Sequence, residues 1–234
     1  MRIEGQTALI TGANRGIGAA LGRALLDRGA AKVYAAVRRP ETVTDPRLTP
    51  LLMDVTDPGT IAAAAEVAQD VTLLINNAGQ GSGATRLLDG DLDVARRTME
   101  TNYFGTWSVS RAFAPILAAG GGGALVNVLS VASWWAMETA PGYSASKAAQ
   151  WSLTNALRQG LRKQGTLVVG VHCGFVDTDL SASVDAPKIG ADEVAEHTMR
   201  ALENDADEVL VDGFSRRTRA ALTGPIAGLH DIGF

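Results

Sequence analysis

Short apolar runs alternate with stretches of helical period along the whole chain. QTALIT (6–11) reads as a buried strand, and IGAALGRALLDRG (17–29) follows with apolar residues at helical spacing and Gly29 as its stop. KVYAAV (32–37) and TPLLMD (49–54) read as the second and third strands. A helix near 58–69 precedes a fourth strand, VTLLIN (71–76), and residues 91–118 read as one long helix. Four glycines, 120–123, make its exit turn before a fifth strand, ALVNVLS (124–130). A helix then runs to about Lys163, TLVVGVH (166–172) is a sixth strand, 192–203 a helix, and EVLVDG (208–213) a seventh strand.

These strands are apolar on both faces, as in a parallel sheet covered by helices on both sides. Strand–helix alternation at this spacing predicts an α/β fold: one Rossmann-type doubly wound domain over residues 1–234. Its seven-stranded, mostly parallel sheet is flanked by helices on both faces. Right-handed crossovers then put a ligand crevice at the carboxyl ends of the strands. No linker, repeat or low-complexity block divides the chain.

Composition narrows the function classes. The 234 residues, 46% of them hydrophobic, are enough to bury a sizeable core. A formal net charge of −4 without a basic stripe argues against nucleic acid as a partner. The single cysteine, Cys173, rules out an intrachain disulfide and suits a reducing compartment. MRIEGQTALITG lacks the pattern of a secretory signal, and no apolar stretch is long enough to span a bilayer. A cytoplasmic location with no membrane partner is the expectation. His172, His197 and His230 show no metal-ligand spacing, so no metal is expected.

The first chemical signal is TGANRGIG (11–18). Gly12 suits a tight turn between strand and helix, and Gly16 and Gly18 let backbone approach a phosphate and let the helix pack close. The helix N-terminus offers unpaired N–H groups to a pyrophosphate. The spacing G-x-x-x-G-x-G differs from the common G-x-G-x-x-G fingerprint, so the strand–turn–helix context carries the reading. NAD-binding units often place an acid at the end of the second strand; here it ends Val37-Arg38-Arg39, with Arg15 in the glycine loop. Guanidinium groups suit a 2′-phosphate, so NADP(H) is the expected cofactor, with Arg15 and Arg38 near that phosphate. The bland alternative is a pair of solvated arginines.

The second signal is GYSASKAAQ (142–150), where one of three tyrosines precedes one of four lysines by four residues. Chance placement would give roughly 0.05 such pairs in a chain of this composition. Positions i and i+4 share a helix face. A free phenol titrates near 10, and a neighbouring ammonium favours its phenolate, so Lys147 is expected to lower the Tyr143 pKa, with an oxidised nicotinamide, itself cationic, pushing the same way. Tyr143 would then protonate a carbonyl oxygen as hydride arrives, or accept the alcohol proton in reverse. Ser130, where the fifth strand opens into the crevice, is the candidate hydroxyl for holding the substrate oxygen.

Together these residues identify the chain as resembling the short-chain dehydrogenase/reductase family over nearly its whole length. TGANRGIG (11–18), MDV (53–55), NNAG (76–79), Asn102 in NYFG, Ser130 and YSASK (143–147) carry the match in order and spacing. The resemblance implies that Ser130 orients substrate, Tyr143 is the general acid/base, and Lys147 tunes the phenol and bonds the nicotinamide ribose. It implies that Asn102 kinks its helix and supports a proton-relay water. It also implies cofactor contacts from Asn14 and Ile17 in the glycine loop, from Asp54 and Val55 at the adenine edge, and from Asn77, Ala78 and Gly79 beside the nicotinamide ribose. Val176 and Thr178 would meet the carboxamide.

The chain departs from the family where Cys173-Gly174 replaces the usual Pro-Gly, which is expected to loosen the turn facing the nicotinamide. Cys173 has no base partner in sequence and reads as a small apolar packer.

Several positions keep a plain alternative. Ser133 rivals Ser130. Asn102 would otherwise only bend its helix, and Asp54 would only end a strand. Trp134, Trp135 and Met137 in SWWAMETAP (133–141) would wall a pocket for a bulky apolar or aromatic carbonyl, or else pack in a core or an interface. TDLSASVDAPKIG (178–190) fits a lid or an ordinary connection.

A homodimer or homotetramer is expected from the resemblance, with Trp107, Phe113 and Trp151 serving the interface or the core. The C-terminal FSRRTRAALTGPIAGLHDIGF does not resemble the family's compact ending. The expected activity is NADPH-dependent reduction of a small-molecule carbonyl, or the reverse alcohol oxidation. A non-catalytic NADP(H)-binding regulator or scaffold, and an epimerase or imine reductase, are its rivals.

Overall fold

Seven strands form one sheet in the order β3-β2-β1-β4-β5-β6-β7, and every neighbouring pair is parallel. They are β1 (Thr7–Thr11), β2 (Lys32–Val37), β3 (Thr49–Leu52), β4 (Leu73–Asn76), β5 (Ala124–Val128), β6 (Leu167–His172) and β7 (Glu208–Leu210). The computed structural model describes residues 1–81, 86–230 and 232. The inner strands are covered on both faces, and runs such as Ala8–Ile10 and Leu73–Ile75 are fully buried, whereas the edge strand β3 is partly exposed.

Helices α1 (Gly16–Asp27) and α6 (Ala191–Glu203) cover one face, where Leu21 and Leu25 meet Val194, Met199 and Leu202. The other face carries α2 (Pro58–Val67), α4 (Thr106–Ala119) and the back of α5 (Pro141–Gly160), around Ile61, Phe113 and Leu117. Phe113 therefore belongs to the core, not to an interface. Trp107 is exposed, and Trp151 packs edge-on against Trp134 with ring centroids 6.0 Å apart.

The predicted long helix is a continuous helical path with a π-helical turn inside it: α3 (Leu92–Met99), a π segment at Glu100–Gly105, then α4. A π turn frees a carbonyl from the regular ladder. That of Asn102 accepts a hydrogen bond from the Thr106 hydroxyl at 2.8 Å. The predicted seventh strand ends early, at Leu210, because it pairs only with Gly170–His172. Asp212 instead caps α7 (Gly213–Ala221), with its carboxylate on the Ser215 N–H. A four-residue helix, α8 (Ala227–His230), follows.

The strand order reverses direction between β1 and β4, which opens a crevice at the carboxyl edge of the sheet. Gly12 follows β1, Arg38 follows β2, Asn77 follows β4, and Ser130 and Cys173 lie just beyond β5 and β6. The topology thus gathers residues far apart in sequence along one edge. No described helix is long and apolar enough to cross a membrane.

Candidate active site

A cleft of about 1930 Å3 runs along that edge. At one end lies the glycine loop. Gly12 and Gly16 adopt φ of +68° and +52°, conformations that β-carbon sterics make rare in other residues. Arg15, extended, begins α1 without a side-chain cap, and no acidic residue sits in the first turn. The helix therefore presents its N–H groups and positive dipole end to the cleft. Asn77 ties the loop to β4, its side-chain amide donating to the carbonyls of Thr11 at 2.9 Å and Gly12 at 3.1 Å. The Thr11 hydroxyl in turn accepts from the Asn77 and Ala78 N–H groups.

Arg15, Arg38 and Arg39 line the cleft beside the end of β2. Arg15 reaches across its mouth to Asp179, 2.6 Å away, in an exposed ion pair. Asn14 donates to the Thr42 hydroxyl at 3.1 Å, which steadies the loop after β2. Asp54 and Val55 also line the cleft, and the Asp54 carboxylate accepts from both the N–H and the hydroxyl of Thr56. Thr178 faces Gly16, where an added β-carbon would lie 3.1 Å from the threonine methyl. Ile17, Gly79 and Val176 border the same space.

The other end brings Ser130, Tyr143 and Lys147 together. Ser133 is buried and does not line the cleft, and among the described residues no hydrogen-bond partner reaches its hydroxyl. The Ser130 oxygen accepts from the Ala132 N–H at 3.1 Å, which leaves its hydroxyl hydrogen free to donate. Tyr143 and Lys147 lie one turn apart on α5, with Nζ 5.9 Å from the phenol ring centroid. Lys147 donates to the Val128 carbonyl at 2.9 Å and to Gln150 Oε1 at 2.8 Å.

The electrostatics differ from the sequence expectation. Burial pushes the Tyr143 phenol up to about 12, although Ser130 pulls it back by hydrogen bonding. Burial also lowers Lys147 to about 8. In the protein alone, desolvation of the phenolate outweighs the hydrogen bond from Ser130, so the phenol holds its proton at neutral pH.

Asn102 sits in the π turn, fully buried. Its side chain bonds both the N–H (2.8 Å) and the carbonyl (3.0 Å) of Gln80, and the Ser146 hydroxyl at 2.9 Å. It stitches the segment after β4 to α5. The turn at Cys173–Gly174 is not loose: the Asp212 carboxylate holds the Gly174 N–H at 2.6 Å, and the Cys173 carbonyl accepts from Val131 at 2.9 Å. Burial pushes the Cys173 thiol up to about 12, an inert state.

Trp134, Trp135 and Met137 all border the cleft. Trp134 is largely occupied by His172, stacked at 3.8 Å, whereas Trp135 meets Phe214 of α7 edge-on at 5.6 Å. The Met137 N–H donates to the Ser144 hydroxyl, fixing this wall to α5. Leu180, Val184 and Ile226 complete an apolar mouth. Sequence reading missed Ile226, Phe214, Asp212 and Gln150. For Asp212 a signal existed, since an Asp just before a helical stretch is a preferred N-cap residue. Among the described residues, no group of three or more His, Cys, Asp or Glu could hold a metal ion.

His172 lies beneath the site. Its Nδ1 is 3.3 Å from the Ser130 carbonyl, and burial lowers its pKa to about 3. Neutral His172 therefore contributes stability that is complete above the unfolded value near 6.5 and is lost as pH falls toward 3. Unfolding free energy should drop by about 2 kcal/mol between pH 7 and pH 5 from this group, and by markedly less in His172→Gln. Urea midpoints at the two pH values read it; equal drops in both proteins would contradict the assignment.

A family model described as short chain dehydrogenase matches residues 6–188. An NADP-dependent 3-hydroxy acid dehydrogenase of Schizosaccharomyces pombe is 29% identical, covering 94% of this chain and 91% of its own. A short-chain dehydrogenase of Penicillium ochrochloron is 38% identical over 75% of this chain and 68% of its own. Among solved structures, a short chain dehydrogenase from Burkholderia cenocepacia in complex with NADP is 42% identical, with a TM-score of 0.94 and 98% of each chain covered.

Proposed function

The chain belongs to the short-chain dehydrogenase family, and from that premise we propose that it is an NADP(H)-dependent oxidoreductase acting on an apolar or aromatic carbonyl or the matching alcohol. The observation that carries the reading is the convergence of Ser130, Tyr143 and Lys147 in one cleft with the glycine turn.

The residues present fit a dinucleotide. The positive-φ glycines and the uncapped start of α1 suit a pyrophosphate. Arg38 and Arg39 suit a 2′-phosphate, and Arg15 can join them by leaving Asp179. When bound, the nicotinamide supplies or takes the hydride. Tyr143, protonated at neutral pH, gives its proton to the carbonyl oxygen. Ser130 donates a hydrogen bond to that oxygen and stabilises the charge that builds on it. Among the described residues, two of the three Lys147 N–H groups are taken by protein oxygens, which leaves one for the cleft. Trp135, Met137, Leu180 and Ile226 offer apolar contact to the rest of the substrate.

An NADPH-oxidation screen over aliphatic and aromatic ketones, aldehydes, quinones and cyclic imines tests the activity. Turnover of apolar ketones or aldehydes is expected. Kd should be lower for NADPH than for NADH, and Arg38→Ala should weaken NADPH about tenfold while leaving NADH nearly unchanged. Equal or tighter NADH binding, or no turnover across the panel, would reject the proposal.

A further inference from the structure

Gln150 is fully buried on α5, three residues after Lys147 on the same helix face. A primary amide taken out of water without partners costs a few kcal/mol, so its partners explain its presence. Its Oε1 accepts from Lys147 Nζ at 2.8 Å, and its Nε2 donates to the Thr106 hydroxyl at 2.9 Å. That hydroxyl donates to the Asn102 carbonyl inside the π turn. The direction of this chain is set by chemistry. An ammonium has only donors, so Oε1 must face it; Nε2 must then face Thr106, whose hydrogen is left for Asn102. The backbone beneath is held in the same way: the Gln150 carbonyl accepts from Thr154, which accepts from Asn127, which accepts from Asn76.

We propose that Gln150 is a positioning residue for Lys147: it anchors the ammonium between α5 and the π turn, keeps it charged, and aims its remaining N–H at the cleft. This rests on the reading of Lys147 given above. Among the described residues, two protein oxygens, those of Val128 and Gln150, solvate this buried cation. Removing one disfavours the charged form. The titratable groups facing Lys147 are Tyr143 on its own helix and His172 and Cys173 at the end of β6. They titrate near 12, 3 and 12, well away from the lysine at about 8.

The chain has four lysines, so its titration can be followed by NMR of 13C-labelled lysine in the cofactor-free protein, with Lys147→Met giving the assignment. Gln150→Leu should move the Lys147 titration to lower pH by at least about half a unit, and Gln150→Glu, which keeps the acceptor and adds an anion, should move it higher. In the presence of NADPH and a carbonyl found by the screen, Gln150→Leu should lower kcat roughly tenfold to a hundredfold and bring the alkaline limb of its pH profile down in step. Gln150→Glu should restore the limb. An unmoved lysine titration in Gln150→Leu overturns the proposal even if kcat falls, because a merely structural role would do that. If Gln150→Leu does not fold, Gln150→Glu decides alone, an unmoved titration again overturning it. Full turnover in Lys147→Met would overturn the catalytic reading of Lys147 instead, while leaving the NMR result intact.

Discussion

Replacing Tyr143 by phenylalanine is expected to lower carbonyl reduction by about a thousandfold while leaving the Kd for NADPH within a few-fold of the parent. The change removes one oxygen and keeps the ring, so the cleft wall survives. What disappears is the proton donor. Burial holds the phenol near 12, so in the parent it is protonated throughout the neutral range and ready to give its proton to a carbonyl oxygen. The reverse reaction needs the phenolate, and alcohol oxidation should therefore accelerate as pH rises well past neutrality. A thousandfold loss is about 4 kcal/mol of transition-state stabilisation. Ser130→Ala should cost less, because its hydroxyl assists the oxygen and water can enter to replace part of it. Steady-state rates with fluorescence titration of NADPH separate the two effects. Full activity in Tyr143→Phe would remove Tyr143 from the chemistry and leave Ser130 and the glycine loop as binding features alone.

The parts of this molecule that were legible in sequence are those fixed by local chemistry. A parallel strand is buried on both faces, so runs such as KVYAAV announce themselves, and β2 occupies the predicted span, Lys32–Val37. The glycine loop was legible because turn, phosphate approach and helix start all demand the same residue type in a short stretch. The resemblance pointed to a kink at Asn102, but not to its form as a π turn, because what stabilises that turn is the meeting of Asn102 with Gln80 and Ser146, contacts that span 22 and 44 positions. The sign of the Tyr143 shift was also hidden. A charge four residues away is visible in sequence, but the depth of burial that opposes it is a sum over many distant neighbours. Gln150 shares a helix face with Lys147, yet a lone glutamine on a helix gives no hint that it will be buried.

Gly18→Ala should have the second large effect, and it separates packing from chemistry. Gly18 lies in the first turn of α1, where the helix crosses the end of β1. A β-carbon there would press inside contact distance on the Gly12 carbonyl oxygen and lie 2.6 Å from Asn77 Nδ2 and 2.9 Å from the Ala13 Cα. Two of these three are backbone and cannot rotate away, so α1 must retreat or the glycine turn must open. Either movement breaks the hydrogen bonds that Asn77 makes to Thr11 and Gly12. It also carries the N–H groups of α1 off the position a pyrophosphate would take. A stability loss of about 2 to 3 kcal/mol is expected, with NADPH affinity reduced roughly a hundredfold. Gly160→Ala is the control: it lies at the end of α5 with open space around the added carbon, and stability should hold or rise by up to about 1 kcal/mol. Urea unfolding and NADPH titration on both variants read the outcome. If Gly18→Ala binds NADPH as the parent does, the glycine loop is not the phosphate cradle and the cofactor must enter the cleft elsewhere.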